Sequence, residues 1–130
     1  MKKLLIVGRS HLRYFALALQ EDGKFEVNHL RIHKVFDFVE KHGENIAVVI
    51  NELGAEHGKE LEPKETHDGE LTGAILTEKL LPLCPNATFF VFGSDSLPRL
   101  QKKDRVVPLR VMLDITPTEL VSMVNKHKSR

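Results

Sequence analysis

The sequence predicts an α/β fold in which five parallel strands alternate with helices, and three observations support this prediction. Five short runs rich in branched and aromatic residues recur along the chain, and each is a candidate strand. Between them, apolar residues recur three or four positions apart, which is typical of amphipathic helices. The chain has 130 residues, which suits one compact domain. This order of elements implies a parallel sheet with helices on both faces.

The residues within the strand-like runs indicate where each strand lies in the sheet. The first, third and fourth runs are almost continuously apolar, as expected for central strands covered on both faces. The second run alternates polar and apolar residues, and the fifth contains Pro108, so both suit an edge. The sequence therefore predicts a flavodoxin-like (βα)5 doubly wound sheet with strand order 2-1-3-4-5. The predicted strands are 3–8, 25–32, 45–50, 87–92 and 106–113.

The predicted helices differ in how clearly the sequence marks their ends. The last has the clearest start, because Thr116 can cap it, Pro117 suits the first helical position and Glu119 can complete a capping box. The first helix is expected to begin behind Ser10 as its cap. The other three are predicted at 35–42, before Gly43, at 71–83 and at 94–103.

Composition and charge exclude several classes of protein. Nineteen basic and eighteen acidic residues give a net charge of +1, so we expect no direct nucleic-acid binding and no attraction to a membrane surface. The apolar run in MKKLLIVG is too short for a signal peptide or a membrane span, and a cytoplasmic protein is expected. The single cysteine, Cys84, permits no internal disulfide and is interpreted as a small packed residue.

One long connection interrupts this single domain, at about residues 51–69. It offers carboxylates and imidazoles that could bind a metal ion, but it lacks a compact ligand spacing, so a solvated loop is favoured. We expect the loop to be mobile and to serve as a partner contact or a lid. Its candidate ligands are Glu56, His57, Glu60, Glu62, His67 and Asp68.

The whole chain resembles a response-regulator receiver domain. The segment DGELTGAILTEKLLPLCPNATFFVFGS is similar to the third helix, proline-marked turn and fourth strand of that family. Asp68 and Gly69 match the pair that opens the third helix, and TPTEL at 116–120 resembles the start of the fifth. The resemblance implies a signalling module with the element order predicted above.

The resemblance also implies that the receiver's phosphorylation site is degenerate here. A receiver holds magnesium with two acidic residues after strand one, phosphorylates an aspartate after strand three, and uses a hydroxyl and a lysine after strands four and five. That chemistry needs oxygen ligands, a carboxylate nucleophile and a neutralising cation. The corresponding positions in this chain are Gly8 and Arg9, Asn51, Gly93 or Ser94, and about Leu113. The resemblance therefore implies a pseudo-receiver that neither binds magnesium nor accepts phosphate on an aspartate.

Arg9 admits two interpretations. Its guanidinium could take over the electrostatic role of the lost metal by lying near Asn51 and Glu52, because strands one and three are neighbours in the predicted order. It could equally be a solvated loop arginine. Asn51 is likewise either a switch residue or a residue that satisfies backbone groups of a turn.

Three classes of function remain, and the first is favoured. It is a non-catalytic regulatory module that acts by protein contact, with a homodimer through the fourth helix, fifth strand and fifth helix as one form. The alternative is a small-molecule or nucleotide-binding flavodoxin-like protein, in which the VGRSH turn could hold an anion at a helix N-terminus. The third is an enzyme, which is disfavoured because no nucleophile, base and orienter converge; Ser10 and His11 are adjacent and face apart. No cofactor or metal is expected.

Overall fold

The computed structural model describes residues 1–52, 72–94, 100 and 103–127, and its core is a five-stranded parallel sheet. The strand order is β2-β1-β3-β4-β5, which confirms the flavodoxin-like prediction with β2 and β5 at the edges. Every neighbouring pair is parallel. The strands are β1 (Lys3–Val7), β2 (Glu26–Leu30), β3 (Ile46–Glu52), β4 (Thr88–Phe92) and β5 (Val106–Leu109).

Four α-helices of the described part flank the sheet, with three short 3₁₀ turns between elements. The turn Ser10–Leu12 leads into the first helix, Gly43–Asn45 follows the second, and Met112–Asp114 precedes the last. The helices are α1 (Arg13–Asp22), α2 (Ile32–His42), α3 (Thr72–Leu80) and α4 (Pro117–His127). None of these helices is long and apolar enough to cross a membrane.

Two apolar layers cover the two faces of the sheet. On one face, α2 and α3 pack through Val35, Val39 and Leu76 against side chains such as Val49 and Phe89. On the other face, α1 and α4 pack through residues including Phe15, Leu19, Leu120 and Val124. The central strands β1, β3 and β4 are therefore buried on both sides, as their continuous apolar runs predict.

The predicted element boundaries need several corrections. The third strand runs on to Glu52, and the fifth ends at Leu109 instead of 113, where the chain turns towards α4. Ser10 makes no cap hydrogen bond, because it begins a 3₁₀ turn and α1 starts three residues later. The third helix ends at Leu80 instead of 83. Most of the predicted helix 94–103 lies outside the described residues, although Leu100 within it is helical and buried.

Arg105 fixes the turn that leads into β5. Its guanidinium donates hydrogen bonds to the carbonyl oxygens of Leu81, Cys84 and Ala87 at 2.8, 2.7 and 2.9 Å. Arg105 itself has a φ of +65°, which is unfavourable for a residue with a side chain. Cys84 is buried, as predicted, and this burial raises the pKa of its thiol to about 11, against the opposing effect of Arg105. The cysteine is therefore a packing residue.

Candidate functional site

The candidate site is the crevice at the carboxyl edge of the sheet, where β1 and β3 end side by side. Gly8 directly follows β1, has a φ of +150° and donates its N–H to the Leu30 carbonyl at 3.0 Å. A Cβ at this position would overlap the Leu12 side chain and would lie 4.0 Å from Glu52 Oε1. Only glycine therefore fits this close approach of the turn to its neighbours.

His29, on the adjacent edge strand, holds the backbone of this turn. Its Nε2 lies 3.0 Å from the carbonyl oxygen of Gly8 and 3.1 Å from that of Arg9, so the imidazole N–H donates to this pair of acceptors. Arg9 is extended, with φ −77° and ψ 178°, and occupies the position before the 3₁₀ turn. The first turn of the crevice is thus built from backbone groups and an imidazole.

A histidine and a carboxylate meet across the crevice. His11 Nε2 lies 2.8 Å from Glu52 Oε1, and the glutamate side chain is only 16% exposed. His11 is carried by the turn after β1, whereas Glu52 is the last residue of β3, so the contact depends on the pairing of these two strands. The pair ties the first turn to the end of the central strand.

Asn51 faces α3 and not the open crevice. It is fully buried, and its Nδ2 donates to the Gly73 carbonyl at 3.0 Å and to the Thr77 hydroxyl at 2.8 Å. The Thr77 hydroxyl donates a hydrogen bond to the same Gly73 carbonyl at 2.7 Å. Asn51 Oδ1 is buried and has no hydrogen-bond partner among the described residues. The amide therefore locks the end of β3 to α3.

The remaining predicted pocket residues do not converge on a common point. Ser94 is buried, and its hydroxyl donates to the Val91 carbonyl at 2.6 Å, so it is engaged locally. Gly93 has a φ of +82° and joins the end of β4 to β5 through its N–H and the Leu109 carbonyl at 2.9 Å. Leu113 is 93% exposed in the turn before α4. The assignment of these positions to a receiver pocket stays a prediction.

Sequence reasoning placed Gly8, Arg9 and Glu52 at one edge but missed how the histidines are used. No pattern in the sequence assigns a contact to His29, and His11 is considered above only beside Ser10. The predicted adjacency of strands one and three was the signal that could have paired His11 with Glu52. The partnership of Asn51 with Thr77 had no such signal, because it depends on how α3 docks. The six candidate ligands in the loop lie outside the described residues.

The chemistry available in the described crevice is limited. An imidazole bonded to a carboxylate supplies two of the three groups of a nucleophile, base and orienter set. The buried Ser94 hydroxyl is committed to Val91, and the Cys84 thiol is a packing group. Within the described residues no three His, Cys, Asp or Glu side chains cluster in a way that could hold a metal ion.

Comparison with known proteins identifies the fold. No protein-family model matches the chain, and no curated protein matches it in sequence. Among solved structures, the chain is similar to a response regulator receiver domain protein (CheY-like) from Methanospirillum hungatei JF-1, with a TM-score of 0.71 and 16% sequence identity. The superposition covers 99% of this chain and 94% of that chain. The chain therefore has the fold of a CheY-like receiver domain, in agreement with the predicted resemblance.

Proposed function

We propose that this protein is a non-catalytic signalling or regulatory module, a receiver-like domain without a phosphorylation site that acts through contact with another protein. The observation that carries the proposal is the environment of Asn51. The amide at the predicted acceptor position donates hydrogen bonds to the Gly73 carbonyl and the Thr77 hydroxyl, which both lie on α3. An amide is a poor nucleophile, and the nitrogen of this one is engaged by α3.

The other pocket positions support the same proposal. Gly8 offers no side-chain carboxylate for a cation, and Arg9 follows it with a positive charge where a magnesium site needs negative ones. Leu113 replaces the lysine that would neutralise a phosphoryl group. Glu52, a carboxylate of the described part of the crevice, is hydrogen-bonded to His11.

Incubation with magnesium and a small phosphodonor, followed by intact-mass measurement, tests the loss of phosphorylation. We expect no added phosphoryl group in the wild type, while a receiver domain with an intact aspartate serves as the positive control. Glu52→Gln is the matched variant, because it removes the one described crevice carboxylate with little change of shape. A phosphoryl adduct in the wild type that disappears in Glu52→Gln would overturn the proposal.

In this proposal Arg9 offsets the charge of Glu52 in place of the lost metal. Double-mutant cycles for Arg9 with Glu52 and for His11 with Glu52 measure the two couplings separately. The expected coupling is about 1 kcal/mol or less for each pair, since His11 is partly exposed. A coupling for Arg9 that is indistinguishable from zero would return Arg9 to the interpretation as a solvated loop arginine.

The surface proposed for protein contact comprises segment 94–103, β5, the turn after it and α4. Val111 and Leu113, two positions apart in that turn, are 51% and 93% exposed, so both apolar side chains are accessible to a partner. Sedimentation of the wild type and of Val111→Ser/Leu113→Ser tests self-association through this face. Tyr14→Ser/Leu17→Ser is the control, because these side chains are also exposed but lie on α1. Equal weakening of association by both double variants would contradict the assignment.

A further inference from the structure

A recess lies at the amino edge of the sheet, opposite the crevice described above. The start of β1, the turn before β2, the segment entering β4 and the end of α4 surround it, and its volume is about 290 Å³. This is close to the lower limit of about 300 Å³ for small-molecule sites. We call it the amino-edge recess, and its lining residues that matter below are Lys2, Lys24, Phe25, Ala47, Thr88 and His127.

The amino-edge recess has a one-sided charge. Lys2, Lys24 and His127 line it, and no carboxylate among the residues that the structure describes does. Neither lysine forms an ion pair with any other residue in the described part of the chain. A recess that two lysines line, with no described carboxylate to pair with them, suits an anion.

The acidic residues closest in sequence are engaged elsewhere. Glu26 accepts a hydrogen bond from Lys3 Nζ at 2.7 Å, and this contact lowers the pKa of its carboxyl below the usual value. Asp22 Oδ2 accepts from Asn125 Nδ2 at 3.2 Å, which directs the carboxylate towards α4. Neither carboxylate lines the amino-edge recess, so neither neutralises it from within.

Neutral groups of the recess are also placed for binding. Thr88 is only 9% exposed, and its side chain makes no hydrogen bond with another described residue. The hydroxyl is therefore free to donate a hydrogen bond to a ligand in the recess. His127 is oriented by an edge-on contact with Phe90, with ring centroids 5.6 Å apart and an interplanar angle of 75°. Packing against Phe90 therefore holds the His127 imidazole at the rim of the amino-edge recess.

We propose that the amino-edge recess binds a small ligand through a phosphate group. Two ammonium groups, an imidazole and a hydroxyl supply donors from several directions, which a phosphate with three or more acceptor oxygens uses better than a planar carboxylate. Phe25 and Ala47 add apolar surface for the body of an organic phosphate. This site is separate from the proposed loss of phosphorylation, because it lies where the strands begin and needs no covalent chemistry.

Titration of untagged protein at fixed ionic strength with inorganic phosphate, pyrophosphate and adenosine monophosphate tests the inference. Binding is followed by amide chemical shifts, and we expect saturable changes at Thr88 and His127. Similar affinities for the inorganic ions and the nucleotide would identify phosphate as the whole recognised group. Tighter binding of the nucleotide would show that the organic body is recognised as well.

Lys24→Gln and Lys2→Gln assign the site. Because a hydrogen bond to a charged group is lost, each change is expected to weaken binding about tenfold. Lys34→Gln is the matched control, since it removes the same charge from an exposed position on α2, away from the recess. Exposed lysines are replaced in all three variants, so folding is expected to be retained.

Three results would overturn the inference. One is the absence of saturable shifts with all three probes. Another is an equal loss of affinity in Lys34→Gln, which would indicate non-specific charge attraction. The third is binding that Arg9→Gln abolishes and Lys24→Gln leaves unchanged, which would place the anion in the crevice at the carboxyl edge.

Discussion

Asn51 stabilises the contact with α3 but lacks the nucleophilic carboxylate of a phosphorylated receiver. Its two donated hydrogen bonds reach Gly73 and Thr77 on α3, while its own oxygen stays buried and unpaired. An unpaired buried oxygen costs free energy, so the amide is kept at this position for what its nitrogen contributes. A carboxylate has no such donor, which makes the environment of Asn51 selective against the residue that a phosphorylated receiver needs.

We expect Asn51→Asp to destabilise the protein strongly at neutral pH. The change places a charge in the core opposite the Gly73 carbonyl, at a cost of about 3 kcal/mol or more in the free energy of unfolding. Burial raises the pKa of the new carboxyl in the folded state above that in the unfolded state. The cost of the buried charge is therefore absent below about pH 4, where the carboxyl is protonated in both states. It grows as the pH rises towards the folded-state pKa.

Denaturant unfolding at several pH values measures this effect. Asn51→Leu is the matched variant, because it removes the donor and the unpaired oxygen without adding charge, and it should cost about 1 kcal/mol with no pH dependence. Equal stability of the Asp and Leu variants at pH 7 would show that the carboxylate turns from the core into the solvent-exposed crevice. That result would count against the proposed function.

Arg105 is expected to be the most costly surface arginine to replace. Arg105→Ala removes three hydrogen bonds to backbone carbonyls and should lower the free energy of unfolding by about 2 to 4 kcal/mol. Arg105→Gly loses the same bonds but relieves the positive φ, so it should be about 1 kcal/mol more stable than the alanine variant. Arg110→Ala, at an exposed ion pair with Glu119, provides the control. An alanine variant as stable as this control would contradict the anchoring role.

At the level of elements, α4 shows a start that the sequence predicted completely. The Thr116 N–H donates to Glu119 Oε1 at 3.1 Å, and the Glu119 N–H donates to Thr116 Oγ1 at 3.1 Å. This confirms the capping box, with Pro117 at the first helical position. Such a motif is readable because all its partners lie within four residues.

Thr116→Ala is expected to lower the free energy of unfolding by about 1 kcal/mol through loss of the cap. Hydrogen bonds from Thr116, with a smaller effect of Arg110, lower the pKa of Glu119, so the variant should raise that pKa part of the way back. A carboxyl with a lowered folded-state pKa stabilises the fold above its unfolded pKa, and this contribution is lost as the pH falls.

The difference between wild type and Thr116→Ala should therefore shrink in acid. Thermal unfolding at neutral and acidic pH, together with an NMR titration of Glu119, checks both parts. Thr118→Ala makes the same chemical change at an exposed position in the first turn of α4 and should have little effect. An unchanged Glu119 titration in Thr116→Ala would contradict the capping explanation.

Elements whose signals are local were predicted well, and contacts between elements were not. Strand order followed from apolar continuity and Pro108, because burial on one or two faces determines the composition of each strand. His11 and Glu52 are 41 positions apart, and the three hydrogen bonds of Arg105 span 18 to 24 positions. No local pattern encodes contacts at such distances in the sequence. Ser10 was wrong as a cap, since a 3₁₀ turn at that position satisfies the backbone differently.

At the scale of the whole molecule, the two apolar layers make stability uneven across the sheet. Strands β1, β3 and β4 lie between both layers and have neighbours on both sides, whereas β2 has one neighbour among the described strands and a partly exposed face. Local opening needs little free energy at such an edge, and global unfolding is needed to expose the centre. The sheet should therefore show graded hydrogen exchange.

Within β2 the protection of the amides from hydrogen exchange should alternate from one residue to the next. The Glu26 amide donates inward to the Lys2 carbonyl at 2.9 Å, so the amides of Asn28 and Leu30 point the same way, whereas those of Val27 and His29 point to the open edge. We expect Val27 and His29 to exchange with protection below about 2 kcal/mol. Amides of β1 and β3 should instead approach the global free energy of unfolding, about 5 to 15 kcal/mol. Amide exchange measured by NMR at low protein concentration decides this directly. Protection of Val27 and His29 equal to that of Asn28 would mean that another strand pairs with β2 in solution, which would move the protein contact from the β5 side of the sheet to the opposite edge.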